Sequence, residues 1–82
     1  MSAGAQPREL VAFLARLLCD HPDEVEVTEI DVDRTLVLEL SVAQEDLGKV
    51  IGKQGRTVRA IRTVLSAATS GSNRRTILEV LD

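Results

Sequence analysis

Three glycines, Gly48, Gly52 and Gly55, cut across GKVIGKQGRTVRAIRTVL, a stretch from Gly48 to Leu65 that otherwise reads as two helices. Glycine inside a helix costs about 1 kcal/mol relative to alanine. This spacing therefore breaks the chain into a short helix, a tight loop and a longer helix. The loop is Gly52-Lys53-Gln54-Gly55. Glycines at both ends let the backbone turn sharply and let a ligand approach with no Cβ in the way. Gly55 stands just before the second helix, whose first N–H groups are unpaired and whose dipole leaves positive charge at that end. Lys53 adds a full charge, and Arg56 and Arg59 follow in the next turns. A phosphodiester backbone is the simplest anion for such a place. Neither the P-loop spacing nor the dinucleotide fingerprint fits, because three residues separate Gly48 from Gly52-Lys53 and no G-x-G pair occurs.

The charge around the loop supports an anionic partner. From Leu47 to Leu78 there are seven Lys or Arg and no Asp or Glu, whereas the rest of the chain holds three cations and all thirteen acids. The net charge of −3 hides this asymmetry. Binding follows the local potential more than the total, so nucleic acid is favoured as the partner. Arg59 and Arg62 either contact the ligand or form a solvated helix face that steers it. Lys49 supplies charge from the far side of its helix, and Arg74 and Arg75 rank below the others.

Composition excludes several alternatives. Eighty-two residues make one small domain. Cys19 and His21 are each the only residue of their kind, which leaves no disulfide, no multi-histidine zinc site and no expected metal or cofactor. No nucleophile has a base at a recognisable spacing, so no catalytic residue and no enzyme activity are expected. The longest apolar run, Leu10 to Ala15, is far short of a membrane span, and MSAGAQPREL lacks the pattern of a signal peptide. A cytoplasmic protein without membrane association is the expectation. Phe13 is the only aromatic residue, so base stacking worth ~1–3 kcal/mol per base is unavailable and one copy should bind weakly.

Residues 1–6 read as a loose tail and 7–82 as the folded domain. A helix runs from Pro7 until His21-Pro22, with Leu10, Val11, Phe13, Leu14, Leu17 and Leu18 in a stripe extended by Ala12, Ala15 and Cys19. That is more apolar surface than one small sheet covers. EVEVTEIDV and RTLVLELSV form an antiparallel hairpin about Asp33-Arg34, and the change of phase between Val25/Val27 and Ile30/Val32 predicts a bulge near Thr28-Glu29. AQEDLGKVI is the short helix, with Glu45 and Asp46 near its positive end. The longer helix packs through Val58, Ile61, Val64, Leu65 and Ala68 and stops at Gly71, and RRTILEVL is a last strand. The order is helix, strand, strand, helix, helix, strand.

Val50-Ile51-Gly52-Lys53-Gln54-Gly55 between two helices, followed by Ile61, resembles the GXXG signature of the KH domain, and the element order resembles its type II form. HPDEVEV, VIGKQGRTVRAIRTV and RRTILEVLD are similar to the bacterial KhpA family of small single-KH RNA-binding proteins. The resemblance implies an α+β fold with a three-stranded mixed sheet and three helices on one face. It also implies a clamp for about four nucleotides of single-stranded RNA. Gly52 to Gly55 would hold the backbone, Leu47, Val50 and Ile51 would line an apolar groove for bases, and Val37 or Leu38 would form the opposite wall. Two functional classes follow. One is an RNA chaperone or post-transcriptional regulator. The other is an assembly module, forming a homodimer or pairing with a larger KH-domain protein, KhpB, in cell elongation and division.

Overall fold

Two strands joined by a two-residue turn form the frame of the domain. The computed structural model describes residues 6–82, so of the expected tail, 1–6, only Gln6 is described, as the residue that precedes the first helix, and residues 1–5 lie outside the described residues. Strand β1 (Glu26–Val32) pairs antiparallel with β2 (Thr35–Ser41) around Asp33-Arg34. Asp33 takes φ 56°, a left-handed conformation that a short polar side chain tolerates. The last strand, β3 (Arg75–Val80), lies parallel to β2 on its other side, giving the order β1-β2-β3. Helices α1 (Pro7–Leu18), α2 (Leu47–Ile51) and α3 (Arg56–Ala68) complete the expected α+β arrangement and element order. Single helical turns at Pro22–Glu24, Gln44–Asp46 and Lys53–Gly55 join the elements. No helix among the described residues is long and apolar enough to cross a membrane.

The register from Glu26↔Ser41 to Val32↔Thr35 is unbroken, so the expected bulge at Thr28-Glu29 is absent. The phase change in the sequence reflects two faces of one regular strand. Val27 pairs with Leu40 on the helix side, while Ile30 pairs with Val37, and Val37 with Ile77, on the open side. Side chains alternate across a strand, so each face has its own apolar positions.

The core is aliphatic. Leu36, Leu38 and Leu40 of β2 and Leu78 of β3 pack against Val11, Ala15, Val50, Val58, Ile61 and Leu65. Helix α1 corrects the expected stripe: Val11, Ala12 and Ala15 are its buried residues, and Phe13 and Leu17 are 58% and 68% exposed. Leu10 and Leu14 are partly buried against the core, so only part of the expected stripe faces inward. On α3, Val58, Ile61 and Leu65 are buried as expected, but Val64 and Ala68 are exposed. The helix also ends before Gly71: Thr69 N–H and Oγ1 both donate to Leu65 O and close its last turn.

Candidate nucleic-acid interface

Helix α2 leads directly into the glycine loop, and the loop's backbone explains its residues. Gly52 has φ 77° and ψ 168°, a region open essentially to glycine alone. Its missing Cβ matters further, because a carbon there would press on Thr57 Oγ1 and lie 2.8 Å from Thr57 N. Gln54 (φ 57°) and Gly55 (φ 74°) are both left-handed, and a Cβ on Gly55 would meet open space. Gly52 N–H donates to Gly48 O at 2.8 Å and Gly55 N–H to Gly52 O at 3.0 Å. The N–H groups of Lys53 and Gln54 find no backbone partner among the described residues. Beside them begins α3, a 13-residue helix whose positive end faces the same loop. Unpaired donors and a helix N-terminus together make a seat for an oxyanion.

The loop brings together several of the expected side chains. Lys53 and Gln54 are exposed, and Arg56 reaches back so that Nη2 donates to Gln54 Oε1 at 3.3 Å. Arg59 is exposed one turn further along α3 and has no ion-pair partner among the described residues. Leu47 and Ile51 are half-buried and give α2 an apolar surface beside the loop.

Four other expected positions are arranged differently. Val50 is fully buried, so its side chain belongs to the core rather than to a groove surface. Lys49 is held by Asp20 Oδ2 at 3.0 Å and by Asp46 Oδ1 at 3.6 Å, so its charge is locally compensated, and the hydrogen bond with Asp20 raises its pKa. Leu38 is fully buried in the central strand, and Val37 faces the side of the sheet away from the helices. Neither can form the opposite wall of a groove at α2. The edge beside α3 belongs to β3. There Arg62 donates through Nε and Nη2 to Leu78 O, at 3.3 and 3.0 Å, and closes part of that edge.

Asp46 corrects the expectation of a simple dipole contact at the start of α2. Its fully buried carboxylate accepts from Asp20 N–H at 3.0 Å and from His21 N–H at 2.9 Å, and pairs with His21 Nδ1 at 3.1 Å. Burial pushes this carboxyl up, but the two backbone N–H groups and the imidazole outweigh it and lower its pKa to about 2. The hydrogen bond to Asp46 raises the pKa of His21. The pair ties the exit of α1 to the entry of α2, six residues before Gly52. Asp20 and His21 are 26 and 25 residues from Asp46 along the chain, so no local pattern announces the contact.

The family model for the KH domain of KhpA/KhpB matches residues 8–80. An RNA-binding protein KhpA of Caldanaerobacter subterraneus subsp. tengcongensis is 51% identical over 89% of this chain and 97% of its own. Those of Treponema pallidum and Clostridium acetobutylicum are 51% and 49% identical, each over 90% of this chain and over 92% and 99% of their own. No solved structure matches. The match of sequence over nearly the whole chain agrees with the helix–strand–strand–helix–helix–strand order, and the chain belongs to the KhpA/KhpB KH-domain family, a family of binding domains and not of enzymes.

Proposed function

We propose that this protein binds single-stranded RNA, with the Gly52–Gly55 loop gripping the sugar-phosphate backbone, and that it acts in the cytoplasm as an RNA chaperone or post-transcriptional regulator. The observation that carries the reading is the pair of N–H groups at Lys53 and Gln54, without a backbone partner among the described residues and set beside the N-terminus of α3. The absence of any acid between Leu47 and Leu78 and the RNA-binding name of the relatives support the same ligand. Lys53, Arg56 and Arg59 supply charge to phosphates, Gln54 supplies a polar contact, and Leu47 and Ile51 supply apolar surface for bases. Changing Lys53 and Gln54 together to Asp tests this. Both side chains are exposed, so folding should persist while affinity for labelled RNA falls by at least tenfold; an unchanged affinity in the folded variant rejects the clamp.

A second reading concerns assembly, and it rests on the seam between α1 and α3. Leu14, Leu17 and Leu18 face Thr57, Ala60, Ile61 and Val64 across an apolar hollow of about 240 Å3. Leu17 and Val64 are 68% and 45% exposed there. A second copy, or a larger KH-domain protein of the KhpB kind acting in cell elongation and division, would cover this surface. Pairing two copies would join two weak RNA sites and raise avidity by about 10²-fold or more.

A further inference from the structure

Helix α3 has two unlike flanks. Thr57, Ala60, Ile61 and Val64 border the apolar seam with α1. On the opposite flank Arg59, Arg62, Thr63, Ser66 and Ser70, with Ala67, line an open shallow hollow of about 570 Å3 with no carboxylate in its wall. At about 100° per residue Arg59, Arg62, Thr63 and Ser66 fall within a band roughly 100° wide, and Ser70 lies just past the helix's end at Ala68. Arg62 spends two donors on Leu78 O and, as a guanidinium with five, keeps three. Thr63 Oγ1 donates to Arg59 O at 3.0 Å, so toward solvent it presents an acceptor, which suits a ribose 2′-hydroxyl. Ser66 is exposed and adds a hydroxyl that can donate to a phosphate oxygen.

This flank is continuous with the loop. Arg56, Arg59, Thr63 and Ser66 succeed one another at steps of three or four residues, so each turn of the helix offers a new polar contact. Arg56 and Ser66 are about 15 Å apart along the axis at 1.5 Å per residue. We propose that the RNA strand gripped at Gly52–Gly55 continues along this flank. Arg59 and Arg62 then meet phosphates, and Thr63, Ser66 and Ser70 meet ribose and phosphate oxygens, so that one copy covers more nucleotides than the loop alone holds. The proposal rests on the RNA-binding reading of the loop. It also leaves the opposite flank free for a protein partner. Toward the C-terminus of α3 the partial negative charge of the helix opposes phosphate, so neutral hydroxyl contacts suit that end better than an ion pair with the RNA strand would.

The test compares oligouridylates of about four and about twelve nucleotides, labelled and titrated against the full chain, the shorter matching the span of a KH loop. A longer strand gains affinity from extra registers in every variant, so the ratio of the two affinities is the quantity compared between variants. Ser66→Glu should lower that ratio about threefold, and Ser66→Lys should raise it by a similar factor, while each leaves the short RNA within about twofold. A ratio that is unchanged, or that moves the same way for both charges, overturns the extended path. Lys53→Asp with Gln54→Asp should weaken both lengths. If it weakens neither while the two Ser66 variants behave as expected, the loop reading fails alone. If the unaltered chain binds neither length, both readings fail.

Discussion

The imidazole of His21 and the carboxylate of Asp46 meet at 3.1 Å, closing a contact between the exit of α1 and the entry of α2. His21 and Asp20 also present their backbone N–H groups to the same carboxylate, and Lys49 reaches it from α2 at 3.6 Å. The buried acid is thus fully partnered. It fixes the short helix that carries the glycine loop, a helix whose five residues could not hold their shape in isolation.

This contact has a pH signature. The pKa of His21 is raised above 6.5, so its contribution to stability is complete below that value and fades as pH rises through the folded-state pKa. The pKa of Asp46 is lowered from 3.8 to about 2, so its contribution is present above 3.8 and is lost as pH falls through about 2. Melting temperature should therefore decline from the near-neutral range upward and collapse in strong acid. His21→Gln should remove the first change and leave a smaller second one, carried by the backbone N–H groups of Asp20 and residue 21. Thermal melts across pH, read by circular dichroism, check both.

Replacing Asp46 should be worse than replacing His21. Asp46→Ala leaves the N–H groups of Asp20 and His21 without their acceptor, whereas His21→Ala removes one partner at a half-exposed edge. Denaturant unfolding of the two variants should rank them in that order.

The two loop glycines should differ in cost. Gly52→Ala forces a side chain into a glycine-only conformation, about 1–3 kcal/mol, and against Thr57 as well. Gly55→Ala meets open space, so only the left-handed backbone opposes it, about 1–2 kcal/mol. Urea unfolding should show the larger loss for Gly52→Ala, and Thr57→Ser with Gly52→Ala should not restore it, since the hydroxyl and backbone of residue 57 remain.

Salt should weaken RNA binding. With about three phosphate contacts at −0.7 each, log affinity falls with log salt at a slope of roughly −2. Arg59→Ala should flatten the slope by about 0.7, whereas Arg16→Ala on α1 should leave it unchanged. Fluorescence titrations between low and moderate salt measure both.

Assembly should fail when charge enters the α1–α3 seam. Leu17 is 68% exposed, so Leu17→Glu should leave the monomer folded yet separate any dimer. Covering a large aliphatic side chain is worth roughly 1.5–3 kcal/mol, enough for a tenfold or greater weakening. Light scattering at micromolar concentration distinguishes the outcomes.

Much of this protein could be read from its sequence where the cause is local. Periodicity of three to four marked α1 and α3, alternation marked β2, and Asp33-Arg34 marked the turn between strands. Gly52 and Gly55 announced the positive φ values found there. Periodicity could not tell which side of an over-apolar helix faces inward. On α1 the inward side holds Val11, Ala12 and Ala15, while Phe13 and Leu17 stay exposed, a choice set by how the helix packs on the sheet and on α3.

What the sequence by itself determined was the order of elements, the hinge at the glycine loop and the acid-free run of cations, since backbone preference and charge are written residue by residue. What only the tertiary structure decided was how those charges are spent. Lys49 is compensated by Asp20 and Asp46, Arg62 is drawn to Leu78 O on the edge of β3, and Arg74 pairs with Asp31, while Arg59 has no ion-pair partner among the described residues. Apart from Lys49 with Asp46, three residues away, those contacts join segments that only folding brings together. The availability of a charge depends on its neighbours in space, and the chain's order does not list them.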